Sequence, residues 1–125
     1  MSHISVIRTQ IVERDCLLKA LDDLGYRYET GNLKLKGYGG QQTDVEILIR
    51  RPLSADIGLR RNNNSYEIVA DWFSVLGIKR EEFTQQLLQR YAYHTARTRL
   101  EEQGFTLIEE TQEKGQIRLL LRRAA

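Results

Sequence analysis

The chain has 125 residues, 41% of them hydrophobic and 29% charged, a balance that fits one soluble globular domain over 1–125 and is too apolar for a disordered segment. Its 19 basic and 17 acidic side chains leave a formal charge of +2 and a pI near 8.8, short of the strongly basic balance of dedicated nucleic-acid binders. The one cysteine, Cys16, excludes an internal disulfide and any cysteine-cluster metal site built by this chain alone, and a reducing compartment is expected.

Met1-Ser2-His3-Ile4-Ser5 has neither signal-peptide nor transit-peptide composition. It runs into Ile4–Thr9, a β-branched stretch that reads as an opening strand. Glu13–Leu24 then places Cys16, Leu17, Ala20, Leu21 and Leu24 at helical spacing, and Gly25 stops it. The period next falls to two. Tyr26–Tyr28 and Leu33–Lys36 are short alternating pieces on either side of a turn at Thr30-Gly31-Asn32, and Gly37–Gly40 is a glycine-rich bend. Val45, Ile47 and Ile49 alternate with Glu46, Leu48 and Arg50 up to Pro52, which lacks a ladder donor. Ile57–Arg60, an asparagine turn at 62–64, and Tyr66–Trp72 complete a meander, with Tyr66, Ile68, Ala70 and Trp72 on one strand face.

Ile78–Gly104 is the longest uninterrupted helical pattern. Phe83, Leu87, Leu88, Tyr91, Thr95 and Thr98 share its apolar face, and Gly104 ends it. Phe105–Glu110 and Ile117–Arg122 make a closing hairpin around Glu113–Gln116. The order strand, helix, meander, helix, hairpin predicts an α+β fold, an antiparallel sheet with both helices packed on one face, and a ferredoxin-like relative is the specific arrangement expected. No apolar run approaches the length needed to span a membrane, so no membrane partner is expected.

Few residues carry chemistry. His3 and His94 have no local metal-ligand partner, and His94 falls between Phe83 and Leu87 on the helix wheel, where a packed or half-buried ring is expected. Cys16 reads as a small buried hydrophobe. Gly37–Gly40 lacks the lysine and hydroxyl of a phosphate loop and reads as a turn. The pairs Glu101-Glu102 and Glu109-Glu110 read as solvated charge. Lys34, Lys36, Arg50, Arg51, Arg60 and Arg61 read as charge that protects sheet edges. On the helix back, Arg90, Tyr93 and Arg97 recur at i, i+3 and i+7. An exposed tyrosine between arginines suits a protein interface and also phosphate and base contacts.

Ala20–Tyr26, Tyr66–Trp72, Gln89–His94, Gly115–Leu119 and the N-terminal Ser2-His3 pair together resemble the hypothetical chloroplast reading frame thirty-five family. These are small uncharacterised proteins of cyanobacteria and red-algal-type plastids. The resemblance spans nearly the whole chain. It departs at the C-terminus, where an arginine–tryptophan pair is replaced by Arg122-Arg123-Ala124-Ala125. The family implies a setting, the cyanobacterial cytoplasm or plastid stroma, and no reaction. The expected function is therefore a non-enzymatic accessory protein of a photosynthetic cell, without cofactor or metal. It would bind a protein partner through Arg90, Tyr93, Arg97 and His94 together with the Trp72-Phe73 segment. A nucleic-acid-binding regulator is the alternative. Trp72 itself is expected to anchor beneath the long helix, because the strand pattern runs through it.

Overall fold

The computed structural model describes residues 3–123; Met1, Ser2, Ala124 and Ala125, which belong to the two terminal motifs above, lie outside the described residues. Strand β1 (Ser5–Arg8) leads into helix α1 (Arg14–Asp23). Strands β2 (Tyr28–Lys36), β3 (Gln42–Ile49), β4 (Ile57–Asn62) and β5 (Ser65–Ala70) form the meander. Helix α2 (Arg80–Glu102) precedes strands β6 (Phe105–Glu113) and β7 (Gln116–Arg123). The class is α+β, with five antiparallel strands in the order β1-β5-β4-β3-β2 and a separate ribbon of β6 and β7. The ferredoxin-like arrangement is not confirmed, because the strand that would return to the sheet after the second helix pairs with its neighbour instead.

The expected turn at Thr30-Gly31-Asn32 is a correction. Tyr28–Lys36 is one strand, and the register with β3 slips between Thr30 and Leu33. A single inserted residue bends a strand without reversing it, which is how a glycine-containing stretch imitates a turn.

Both helices lie on one face of the sheet. Leu17, Ala20 and Leu21 of α1 and Phe83 and Leu87 of α2 pack against Ile47, Ile49, Ile57, Leu59, Tyr66, Ile68 and Ala70 of the strands. The helices cross in contact, and Tyr91 of α2 caps α1. Its hydroxyl accepts hydrogen bonds from the backbone N–H groups of Val12 and Glu13, each at 3.0 Å. The α1 N-cap, Glu13, makes no side-chain cap of its own, and the tertiary contact from Tyr91 instead holds the backbone N–H groups at the entry to the helix. Gly25 and Gly104 follow the helices at φ 78° and 91°, the left-handed stops expected of them.

The opposite sheet face carries a smaller cluster of Leu35, Val45, Leu48 and Val69, edged by Ile4 and Leu33. Val45 thus parts from Ile47 and Ile49, with which strict alternation groups it. Glu67 lies on this face, 4% exposed, and accepts hydrogen bonds from Arg60 Nε at 3.0 Å and Asn62 Nδ2 at 3.2 Å. Those two bonds hold its carboxyl below the usual range. The sheet coils until its two edges meet. Ile4, just before β1, touches Gly37 after β2 so closely that a Cβ there would stand 2.7 Å from Ile4 Cγ1.

Candidate functional site

Helix α2 is flanked by α1 on one side and by the β6–β7 ribbon on the other, so its buried arc is wider than its apolar stripe. Leu88, expected in the core, is 38% exposed and faces a groove beside the edge strand β1. The polar residues turn inward instead. Asp23, at the end of α1, accepts on one oxygen, Oδ2, from Arg90 Nε at 2.9 Å and Arg90 Nη2 at 2.7 Å, with His94 Nε2 at 2.6 Å. An ionised carboxylate only accepts, so Nε2 carries the proton in this pairing. The Arg90 and His94 side chains are 16% and 14% exposed.

The solvent-facing surface expected from Arg90, Tyr93 and Arg97 is therefore not there. Tyr93 is 7% exposed. Arg90 sits 4.3 Å from its ring centroid, the His94 ring meets it edge-on at 4.8 Å, and Arg97 Nη1 donates to its hydroxyl at 2.9 Å. Burial pushes the Tyr93 phenol up, helped by a hydrogen bond with Glu110 of β6 and opposed by Arg97. Gln89 Nε2 donates to the Gly115 carbonyl at the ribbon's turn, so the hairpin is pinned over this part of the helix. Arg97 is 40% exposed, but its Nε is engaged by Glu101 Oε1 at 2.6 Å. Spacing on a wheel shows which residues share a face, and it cannot show that a hairpin later in the chain folds back over that face. His94 is half-buried, as its wheel position implies.

Burial works to raise the Asp23 pKa, but the hydrogen bonds from Arg90 and His94 outweigh it and hold the carboxyl below its ordinary 3.8. A lowered folded-state value means that this pairing stabilises the fold above the ordinary value and that the contribution fades as pH falls through the lowered one. Asp23→Asn is expected to lose about 1 to 3 kcal/mol at neutral pH, the scale of hydrogen bonds to charged groups, and to show a flatter decline below pH ~4. Denaturant melts across an acid pH series measure both.

The Trp72-Phe73 segment lies elsewhere, at one end of the sheet. Strand β5 stops at Ala70. Trp72 then turns back onto the core as expected, half-buried, with its ring 5.8 Å from Phe83. Phe73 points away and is 78% exposed. Beside it runs the β3–β4 loop, where Leu53 is 97% exposed. The two loops are tied together. Ala55 N donates to Ser74 O at 3.0 Å, Leu76 N to Ser54 Oγ at 2.8 Å, and Arg51 Nη1 to Leu76 O at 2.5 Å. Leu76, 59% exposed, lies on the same pair of tied loops as Leu53 and Phe73. Leu53 adopts φ 57°, a left-handed conformation that costs a non-glycine residue roughly 1 to 2 kcal/mol. The available signal for Leu53 was a lone leucine after Pro52 in a polar turn.

The meander cations are mostly engaged within the chain. Lys34 pairs with Asp44, Arg50 with Glu29 and Asp56, and Arg60 with Glu67. Arg61 donates to Val12 O and lies over the Tyr66 ring.

The model of the family described as protein of unknown function (DUF1257) matches residues 20–120. The chain belongs to the DUF1257 family. Curated relatives described as uncharacterized protein ycf35 align over 98% of this chain and 98% of their own length. Those from Cyanophora paradoxa and Guillardia theta are 35% identical to it, and that from Pyropia yezoensis is 33% identical. The resemblance read from the sequence is thereby shown, and these relatives are plastid-encoded. No solved structure matches. Asp23, Trp72, Phe73, Arg90, Tyr93, His94 and Arg97 all lie within the stretch matched by the DUF1257 model. Among the described residues of this family member, no three His, Cys, Asp or Glu side chains are grouped to hold a metal ion. Likewise, no described helix is long and apolar enough to cross a membrane.

Proposed function

We propose that this protein is a non-enzymatic accessory protein of a photosynthetic cell, working in the cyanobacterial cytoplasm or plastid stroma, and that it docks on another protein. The docking surface is the loop patch of Leu53, Phe73 and Leu76. The observation that carries this reading is the pair of loops bound to each other by three hydrogen bonds while holding Leu53 and Phe73 in solvent. Such ordering of apolar groups has no use in the chain's own core, and a strained backbone that is held in place is characteristic of ligand-contacting positions. Phe73 retains the role expected from the sequence, and Trp72 supports it from below. Arg90, Tyr93, Arg97 and His94 contribute indirectly, by joining α1, α2 and the ribbon into the scaffold that carries the loops.

Leu53→Ser combined with Phe73→Ser is expected to leave stability within about 0.5 kcal/mol of the parent, as for ordinary surface changes. The same pair should abolish capture of a partner from an extract of a cell that contains the protein. Undiminished capture would remove the loop patch from consideration. The nucleic-acid alternative draws on the meander arginines, of which Arg50 and Arg60 are paired with acids and Arg51 and Arg61 are engaged by carbonyl oxygens. It predicts oligonucleotide binding that weakens steeply with salt, and an absence of binding at low salt would end it.

A further inference from the structure

The ribbon of β6 and β7 packs on α2 through one face, with Ile117, Leu119 and Leu121 half-buried beneath it. Its other face is bare. Ile108 and Leu120 are 49% and 54% exposed there. The charges on this bare face are sorted by strand. Glu109 and Glu113 lie on β6, and Arg118 and Arg122 lie on β7. The register sets Glu109 across from Leu120, Glu113 across from Gln116, Arg118 across from Thr111 and Arg122 across from Thr106. No acid thus stands opposite an arginine, and none of the four is in an ion pair among the described residues.

We propose that a second copy of this chain docks here, ribbon on ribbon, with β6 of each copy lying over β7 of the other. A twofold axis running along the ribbon, between the two faces, brings this about. It lays the acidic strand of each copy along the partner copy's basic strand, with Glu109 and Glu113 one row away from Arg118 and Arg122 so that the long side chains pair diagonally, and it brings Ile108 beside Leu120 at the centre. A face with two acids and two arginines in separate stripes suits neither a polyanion nor an anionic lipid surface, each of which calls for one sign of charge. It suits its own copy turned over, and such an isologous contact closes at two copies and does not polymerise. The ribbon is about 27 Å long by strand rise, so the contact falls at the low end of interface sizes and the dimer is weak, dissociating in roughly the 10 to 100 μM range. The proposal does not depend on the loop patch of Leu53 and Phe73, and either can fail without the other.

Sedimentation velocity at low salt, from ~10 μM to ~1 mM protein, is expected to show a monomer–dimer equilibrium that shifts toward monomer as added salt shortens the screening length. Arg118→Glu with Arg122→Glu makes the face wholly acidic, and Glu109→Arg with Glu113→Arg makes it wholly basic. Each variant alone should be monomeric, and an equimolar mixture of the two should dimerise again. Circular dichroism checks that both are folded. If either is not, Leu120→Ser in its place should raise the dissociation constant about tenfold or more. A parent that stays monomeric over the whole range overturns the proposal. So does a dimer indifferent to these substitutions, or a mixture that fails to reassociate.

Discussion

Phe83→Ala is expected to lower the free energy of unfolding by about 3 to 5 kcal/mol, the cost of emptying a phenylalanine site that cannot collapse. Phe83 is wholly buried one turn into α2 and meets Tyr26 edge-on at 5.5 Å and Trp72 at 5.8 Å. Those two rings come from the segment after α1 and the segment after β5, so one side chain ties both crossovers to the second helix. Phe83→Leu should cost roughly 1.5 kcal/mol or less, because much of the volume is kept. Urea melts of the two variants test this, and an alanine variant within about 1 kcal/mol of the parent would refute the central place given to this ring.

Trp72→Ala is expected to cost a similar amount, about 3 to 5 kcal/mol, since the half-buried indole covers Phe83 and the main cluster. The more telling substitution is Trp72→Phe. The indole Nε1 is buried with no hydrogen-bond partner within the chain. A donor left in that state costs about 1 to 3 kcal/mol, so removing it should offset much of the lost contact area and keep the net change near 1 kcal/mol. Melts that found phenylalanine as damaging as alanine would mean that the indole N–H is satisfied after all. Trp72 is the chain's only tryptophan, so these variants are best followed by circular dichroism.

The architecture was legible wherever the signal was local. The period of the two helices, their glycine stops, the asparagine turn at 62–64 and the final hairpin all rest on contacts between near neighbours in sequence. The side of α2 that faces solvent was not. Its burial depends on Asp23, 67 residues before Arg90, and on Gly115, 26 residues after Gln89, and neither contact leaves a periodic trace. Tyr91 illustrates the same limit. Its aromatic body belongs to the inward stripe that spacing identifies, whereas its hydroxyl caps a helix 78 residues earlier. Of the patch now assigned to docking, Phe73 was legible as part of the Trp72-Phe73 segment. Leu53 and Leu76 were not, because what joins their loops is a set of hydrogen bonds from backbone groups and the Ser54 and Arg51 side chains, between two irregular segments.

The place of β1 at the sheet edge beside β5 also sets an order of events during synthesis. Each of β2 to β5 pairs with the strand next to it in the chain, so the meander can form as it emerges, by a succession of short loop closures. β1 cannot join it early. Ser5 must wait for Ala70, 65 residues later, and at typical rates of elongation that interval lasts roughly 3 to 13 s. Throughout it the first strand made has no partner, and it becomes the last strand of the sheet to be seated. Meanwhile β5, once made, presents an open edge bearing Ile68 and Val69, the place where a neighbouring nascent chain can pair in its stead.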